Sequence, residues 1–177
     1  MYGPILVLNA GSSSIKFSVF ETAVDRTLIS AAHGQVEGIG TATPRFEVAD
    51  PAGQKLAEEP LVRNDHRGAI AAIHDWFGAS FGGEGSFAGA GHRIVHGGAR
   101  YNAPVRIDEG VVAELEELVP LAPLHQPHHL AAIRALSSVA PNLPQIACFD
   151  TAFHAMQPRL AREFAGRVPL FRVQHVQ

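Results

Sequence analysis

The chain opens with two strand-like apolar segments joined by a short turn of glycine and serine. Residues 5–8 (ILVL) form an unbroken apolar run, which is typical of a strand buried on both faces. After the turn, Ile15, Phe17 and Val19 alternate with polar residues, as in a strand with one buried face. The pattern predicts a hairpin in which Lys16 points away from the apolar side.

The turn between these strands, residues 11–14 (GSSS), has the composition of an anion-binding loop, and we call it the serine turn. Gly11 allows close approach of a ligand, and the three serines add hydroxyl donors to the backbone amides. A P-loop is excluded because no helix follows and the second glycine before the lysine is missing. An ordinary serine-rich hairpin turn would have the same composition, so the residues alone leave both interpretations open.

The rest of the chain alternates predicted strands and helices. Turn residues and apolar periodicity predict strands over 31–39, 45–48, 87–95 and 146–149. Caps and prolines predict helices over 65–81, from Asp108 to Pro120, and from Pro127 to Pro141, with another over about 156–164. This order of elements indicates an α/β fold with helices packed on a central sheet.

Composition limits the classes of partner. With 17 acidic and 14 basic residues, a net charge of -3 and no basic cluster, we expect neither nucleic acid nor membrane partners. No stretch is long enough to span a bilayer. The single cysteine, Cys148, cannot form an internal disulfide, and its apolar surroundings predict that it packs as a small hydrophobe. A cytoplasmic location is expected.

Two predicted strands present candidate ligand-binding groups. In the strand around 90–96, alternation places Arg93 and Val95 on one face, where a guanidinium could bind a carboxylate and a branched side chain could cover a short alkyl tail. The alternative is an arginine that reaches from a strand edge to an internal acid. Asp150 follows the last predicted strand, where α/β sheets bind ligands, although a helix N-cap is equally natural there.

The histidines of residues 125–129 (HQPHH) are a weaker signal for a metal site. His125 and His129 have the spacing of two ligands on one helical turn. Pro127, however, places His125 before the helix begins, and no acidic or cysteine partner follows at a recognised spacing. A zinc site is therefore disfavoured.

Four segments in order resemble the signature motifs of acetate kinases, which are short-chain carboxylate kinases of the actin and hexokinase superfamily. They are residues 5–17 (ILVLNAGSSSIKF), 91–98 (GHRIVHGG), 121–127 (LAPLHQP) and 149–154 (FDTAFH). The resemblance implies one actin-like (ribonuclease H-like) lobe of α/β class, with a mixed central sheet, flanking helices and the second lobe missing. We expect this lobe over residues 1–165, and a divergent tail over 166–177 that comes from truncation or a frame shift.

The same resemblance implies roles for nine residues. Asp150 and His125 would be catalytic, and His125 would donate a hydrogen bond to the transferred phosphoryl group. The remaining roles would be substrate binding by Arg93, Val95 and Leu124, phosphate contact by Lys16, Ser12 and Ser14, and metal binding by Asn9.

The implied reaction converts ATP and acetate, or another short-chain carboxylate, into ADP and acetyl phosphate, with Mg²⁺ as the metal and a homodimer as the assembly of the complete family. The glycine segments and further catalytic residues of the family's second lobe are not visible in the sequence. The alternative is therefore a non-catalytic fragment, or a half-enzyme that binds phosphate or carboxylate weakly.

Overall fold

The computed structural model describes residues 3–81 and 87–155, which build one mixed sheet with helices packed against it. In chain order the strands are β1 Ile5–Ala10, β2 Ser14–Thr22, β3 Leu28–Glu37, β4 Arg45–Ala49, β5 Lys55–Pro60, β6 Gly89–Ile94, β7 Val105–Arg106 and β8 Gln145–Phe149. Their order across the sheet is β5-β4-β3-β2-β1-β6-β8-β7. Strands β1, β6 and β8 are parallel, while the other neighbouring pairs are antiparallel.

Three helices begin where local signals predict. They are α1 His66–Ser80, α2 Glu109–Glu117 and α3 Gln126–Val139, and a short α4 covers Asp150–Ala155. Asp65 caps α1 by accepting from the Gly68 amide at 2.6 Å, and Asp108 caps α2 by accepting from the Val111 amide at 2.9 Å. Pro127 lies in the first turn of α3, as its fixed φ favours. No helix among the described residues is long and apolar enough to cross a membrane.

The core lies on one face of the sheet. Residues paired in adjacent strands share a face, and the pairs Leu8 with Phe17 and Leu8 with His92 join β2, β1 and β6 on the buried side. Helices α1 and α3 pack against this side, and their contributions to the core include Ala69, Ile70, Ile73, Phe77, Ala132, Ala135 and Leu136. The opposite side, which we call the open face, carries Val7, Asn9, Lys16, Arg93 and Cys148.

This arrangement corrects two expectations. The predicted hairpin is confirmed and Lys16 is exposed, but β1 is buried on one face only, since Val7 is 39% exposed. Cys148 is exposed rather than packed as a small hydrophobe. Both corrections have the same cause: an apolar run indicates a strand covered on both faces, whereas the described helices cover only one face of the sheet.

Other predicted boundaries differ at the sheet edges. Strand β3 begins at Leu28 rather than at 31, β6 spans only Gly89–Ile94, and the edge strands β5 and β7 were not predicted. Half of the residues in Lys55–Pro60 are charged, the segment ends in proline and it lacks a buried face, so its sequence carries no strand signal. The predicted helix stop at residues 82–83, the predicted helix over 156–164 and the predicted tail lie outside the described residues.

A chain of three polar side chains runs from the core at β6, through β8, to the exposed Ser137 of α3. The His92 side chain is 3% exposed, and its Nε2 donates to Gln145 Oε1 at 2.8 Å. The side-chain Nε2 of Gln145 in turn donates to Ser137 Oγ at 2.8 Å. Burial lowers the pKa of His92 to about 4, and the hydrogen bond to Gln145 only partly offsets that effect. His92 is therefore neutral in the folded protein at neutral pH.

We expect Gly34→Ala to lower the free energy of unfolding by about 1–3 kcal/mol. A Cβ at Gly34 would lie 2.4 Å from the Glu47 carbonyl oxygen and 2.5 Å from Phe17 Cζ, so the backbone itself must shift. Gly91→Ala is the matched strand control, because a Cβ there meets no heavy atom within 4 Å. Urea unfolding of both variants measures the difference, and equal losses would contradict this packing.

We expect the free energy of unfolding to fall as the pH drops from 6.5 towards 4. In that window the unfolded chain binds a proton at His92, whose ordinary pKa is 6.5, while the folded chain does not. The loss is at most about 1.4 kcal/mol per pH unit for this group. His92→Gln retains a donor for Gln145 but does not titrate, so its unfolding free energy should vary less with pH. His33→Gln, on an exposed β3 position, should retain the full slope.

Candidate functional site

Three neighbouring strands bring polar side chains into one row on the open face. Asn9 of β1 pairs with Lys16 of β2 in the antiparallel register. On the other side of β1, Leu8 pairs with His92, so Arg93 of β6 stands beside Asn9. Because the opposite faces of these strands carry the core, the three polar side chains are directed to the open face.

Arg93 is the centre of a hydrogen-bonded cluster at this row. Its Nε lies 3.0 Å from Asp150 Oδ1, its Nη2 lies 2.7 Å from Asp150 Oδ2, and its Nη1 donates to Asn9 Oδ1 at 3.3 Å. The hydrogen bonds to Asp150 raise the pKa of Arg93 above its usual range. The Arg93 and Asp150 side chains are 52% and 40% exposed, so this two-point ion pair is accessible from solvent. The acid that Arg93 reaches is thus a surface group, and not an internal one.

The end of β8 fixes the position of Asp150. Phe149 is buried and stacks on Tyr101, with ring centroids 5.1 Å apart. Thr151 Oγ1 accepts from the Gly97 amide at 3.0 Å, which ties the start of α4 to the loop after β6. Asp150 therefore stands at the carboxyl end of a strand and is the first residue of α4, and its carboxylate accepts hydrogen bonds from Arg93 rather than acting as a helix cap.

The serine turn is anchored through its carbonyl groups. The Gly11 amide donates to the Ser14 carbonyl at 2.7 Å, the Ile39 amide donates to the Ser13 carbonyl at 2.9 Å, and His66 Nε2 lies 2.8 Å from the Gly11 carbonyl. Within residues 3–81 and 87–155, the amides of Ser12 and Ser13 have no hydrogen-bond acceptor, and both residues are exposed. Three hydrogen bonds to carbonyl groups therefore hold the turn in place, while two of its backbone amides stay available to bind an anion.

In the described part of the chain, His125, Leu124 and Val95 are not members of this hydrogen-bonded cluster. His125 is the exposed N-cap residue of α3, and it forms no hydrogen bond with Arg93 or Asp150 in the described part of the chain. Leu124 is 76% exposed, and Val95 is partly buried just beyond the end of β6. The described residues therefore bring Asn9, Arg93 and Asp150 into contact, and they leave Leu124 outside any enclosed pocket.

From the sequence, His128 and His129 enter only as part of a disfavoured metal site, and His66 gives no signal. His66 and His128 stack with ring centroids 5.4 Å apart and an interplanar angle of 14°. His129 is 3% exposed, and neither ring nitrogen has a hydrogen-bond partner in the part of the chain described. Burial, followed by the charges of His125 and Arg93, lowers the pKa of His129 to about 4. The spacing of His129 from Ile133 on α3 was a signal for its burial.

Comparison with known proteins identifies the family of this chain. A sequence model of the acetokinase family matches residues 4–171. Acetate kinases from Rhodopseudomonas palustris and Streptomyces coelicolor are 44% and 40% identical to this chain, and each alignment covers 91% of it. The aligned region is 40% of the first relative and 39% of the second.

Solved structures agree with this assignment. The acetate kinase of Porphyromonas gingivalis and the propionate kinase of Francisella tularensis each superpose with a TM-score of 0.78 at 32% identity. Each match covers 88% of this chain and 39% of the solved one, so the chain spans about two fifths of the length of its relatives. The chain, with its eight-stranded mixed sheet, belongs to the acetokinase family.

Proposed function

We propose that residues 1–165 form one lobe of an acetate kinase-like phosphotransferase, which converts ATP and a short carboxylate into ADP and an acyl phosphate. The observation that carries this proposal is the Arg93 guanidinium, held by Asp150 and Asn9 on the open face beside the serine turn. Family membership supports the reaction type. From the same membership we expect a cytoplasmic protein that dimerises.

Arg93 would bind the carboxylate of the acceptor. A guanidinium offers two parallel N–H donors to a carboxylate, and Asp150 already holds Arg93 in a two-point geometry. Acetate is ionised at neutral pH, so its oxygen attacks the terminal phosphorus without losing a proton while the bond from that phosphorus to the ADP oxygen breaks. Val95 and Leu124 would cover the alkyl tail. The role of this chain is then mainly to position the nucleophile.

The serine turn and Lys16 would bind phosphoryl oxygens. The unpaired amides of Ser12 and Ser13, with the hydroxyls of Ser12 and Ser14, form a set of neutral donors. Lys16 is exposed on the adjacent strand and has no ion-pair partner among the residues described here, so its charge is available to an anion. His125, exposed at the start of α3, would add a hydrogen bond to the charge that develops in the transition state.

Two oxygen-bearing groups hydrogen-bonded to Arg93 are compatible with Mg²⁺ as ligands. Asn9 Oδ1 and the Asp150 carboxylate are oxygen ligands of the kind that magnesium prefers, and phosphate oxygens and water would complete its coordination. Both groups now accept from Arg93, so they share one small volume. When bound there, Mg²⁺ would neutralise charge on the phosphate oxygens.

A second function, ligand binding without turnover, is favoured by the exposure of the site. Its Arg93 and Asp150 side chains lie on an open face rather than in a closed cleft. Positioning supplies a large share of a phosphoryl-transfer barrier only when all groups converge on the substrate. Calorimetric titration with acetate, acetyl phosphate and Mg-ATP, followed by an assay for acetyl phosphate formation, separates the two functions. Binding without turnover supports the second, and no binding of any ligand contradicts both.

We expect Arg93→Lys to weaken the binding of acetyl phosphate and acetate by about tenfold or more, because lysine provides a point charge without the two-point geometry. Calorimetry gives both dissociation constants. Arg106→Lys, at an exposed position on the edge strand β7, is the matched control and should bind as the unmodified chain does. Equal affinities for the Arg93 and Arg106 variants would exclude Arg93 as the carboxylate ligand.

We expect Asp150→Asn to abolish the dependence of acetyl phosphate binding on Mg²⁺. The substitution removes the carboxylate that would hold the metal, while the amide can still accept a hydrogen bond from Arg93. Titrations with and without magnesium measure the effect. Asp75→Asn, whose side chain is 82% exposed on α1, is the control and should retain the dependence. If the Asp150 variant keeps the full magnesium effect, the metal is held elsewhere.

A further inference from the structure

The serine turn is joined to both major helices by a pair of histidines. His66 is the first residue of α1, and its ring Nε2 lies 2.8 Å from the Gly11 carbonyl oxygen. A carbonyl only accepts, so this nitrogen carries the hydrogen and donates it. The contact joins residues 55 positions apart in sequence, and it is the link that connects α1 to the backbone of the turn.

His128 completes the connection from the side of α3. Its ring stacks on His66 in nearly parallel orientation, with centroids 5.4 Å apart. His128 lies in the first turn of α3, three residues after His125, which the proposed function places at the transferred phosphoryl group. The stacked pair therefore ties the serine turn on one side to the segment that carries His125 on the other.

We propose that His66 and His128 are positioning residues that hold the serine turn and the start of α3 in the relative arrangement needed to bind a phosphoryl group. The hydrogen bond to Gly11 fixes the carbonyl side of the turn, and the amides of Ser12 and Ser13 then stay directed to a ligand. This inference rests on the proposed function only in naming the phosphoryl ligand; the ordering of the turn does not depend on it.

The groups around the two histidines make the stacking contact between their rings depend on pH. Partial burial, followed by the neighbouring charges of His66 and His125, lowers the pKa of His128, so the stack persists while this ring is neutral. The Asp65 carboxylate, next to His66 in sequence, accepts hydrogen bonds from Arg63 and from the Gly68 amide. The serine turn contributes only hydroxyl and amide groups. A proton on His128 at acidic pH would be opposed by the neighbouring His66 and His125, which lower its pKa, and would weaken the stack.

Three variants separate the two contacts. His66→Phe retains a ring for stacking but loses the donor to Gly11, whereas His66→Gln retains a donor of similar reach without the ring. His128→Phe keeps the stack and removes its charge. His74→Phe, a half-exposed histidine two turns along α1, is the matched control. Amide hydrogen exchange at Gly11, whose N–H closes the turn, reports the order of the turn in the ligand-free chain.

We expect His66→Phe to speed exchange at the Gly11 amide about tenfold and to weaken acetyl phosphate binding by a similar factor, while exchange at core amides of β1 stays unchanged. In His66→Gln, both the exchange rate of the Gly11 amide and the affinity for acetyl phosphate should be close to those of the unmodified chain. After correction for intrinsic exchange, acidification below pH 6.5 should loosen the turn in the unmodified chain and not in His128→Phe.

The inference would be overturned if the exchange rate of the Gly11 amide were unchanged in His66→Phe. It would also be overturned if His74→Phe raised that rate by the same factor. A turn that loosens in His66→Phe while the unmodified chain binds neither acetyl phosphate nor inorganic phosphate would instead leave the positioning role standing and reject the phosphoryl ligand. The two failures are therefore distinguishable.

Discussion

The alternation of side chains along β2, β1 and β6 is the constraint on which the rest of the site depends. Leu8, Phe17 and Ile94 are buried against the helices, and each is next in sequence to a residue of the polar row. A strand cannot bury both neighbours on one face, so burying the apolar residues directs Asn9, Lys16 and Arg93 to the open face. The hydrophobic effect that stabilises the sheet thus also places the site.

The ion pair between Arg93 and Asp150 is suited to exchange with a ligand. Both side chains are about half exposed, and exposed pairs of this kind contribute only about 0–1 kcal/mol to stability. An incoming carboxylate can therefore displace the Asp150 carboxylate from the guanidinium donors at small cost. By contrast, the hydrogen bond between the buried side chains of His92 and Gln145 joins β6 to β8 within the core.

Local signals predicted much of the fold. Asp65, Asp108 and Pro127 mark the starts of three helices, and the alternation after Gly11 marks the hairpin. Such signals act within a few residues, so they can be recognised without knowing the tertiary structure. The resemblance of four ordered segments to acetate kinase motifs predicted the family, and the comparisons confirm it.

The missed features depend on distant parts of the chain. The exposure of Cys148 depends on which sheet face the helices cover, and its own strand does not reveal this. The contact between Arg93 and Asp150 joins residues 57 positions apart and requires β6 and β8 to pair in parallel. Strand β5 forms by pairing with β4, although half of its residues are charged. The roles of the individual site residues stay predictions.

Nuclear magnetic resonance of the isotope-labelled chain during titration with acetyl phosphate establishes whether the serine turn and Arg93 bind one ligand. We expect the signals of the Ser12 and Ser13 amides and of the Arg93 Nε to shift together, with one dissociation constant, because one ligand would contact the serine turn and the guanidinium. Shifts confined to residues at the sheet edges, such as Lys55 and Arg106, with those three signals unchanged, would contradict it.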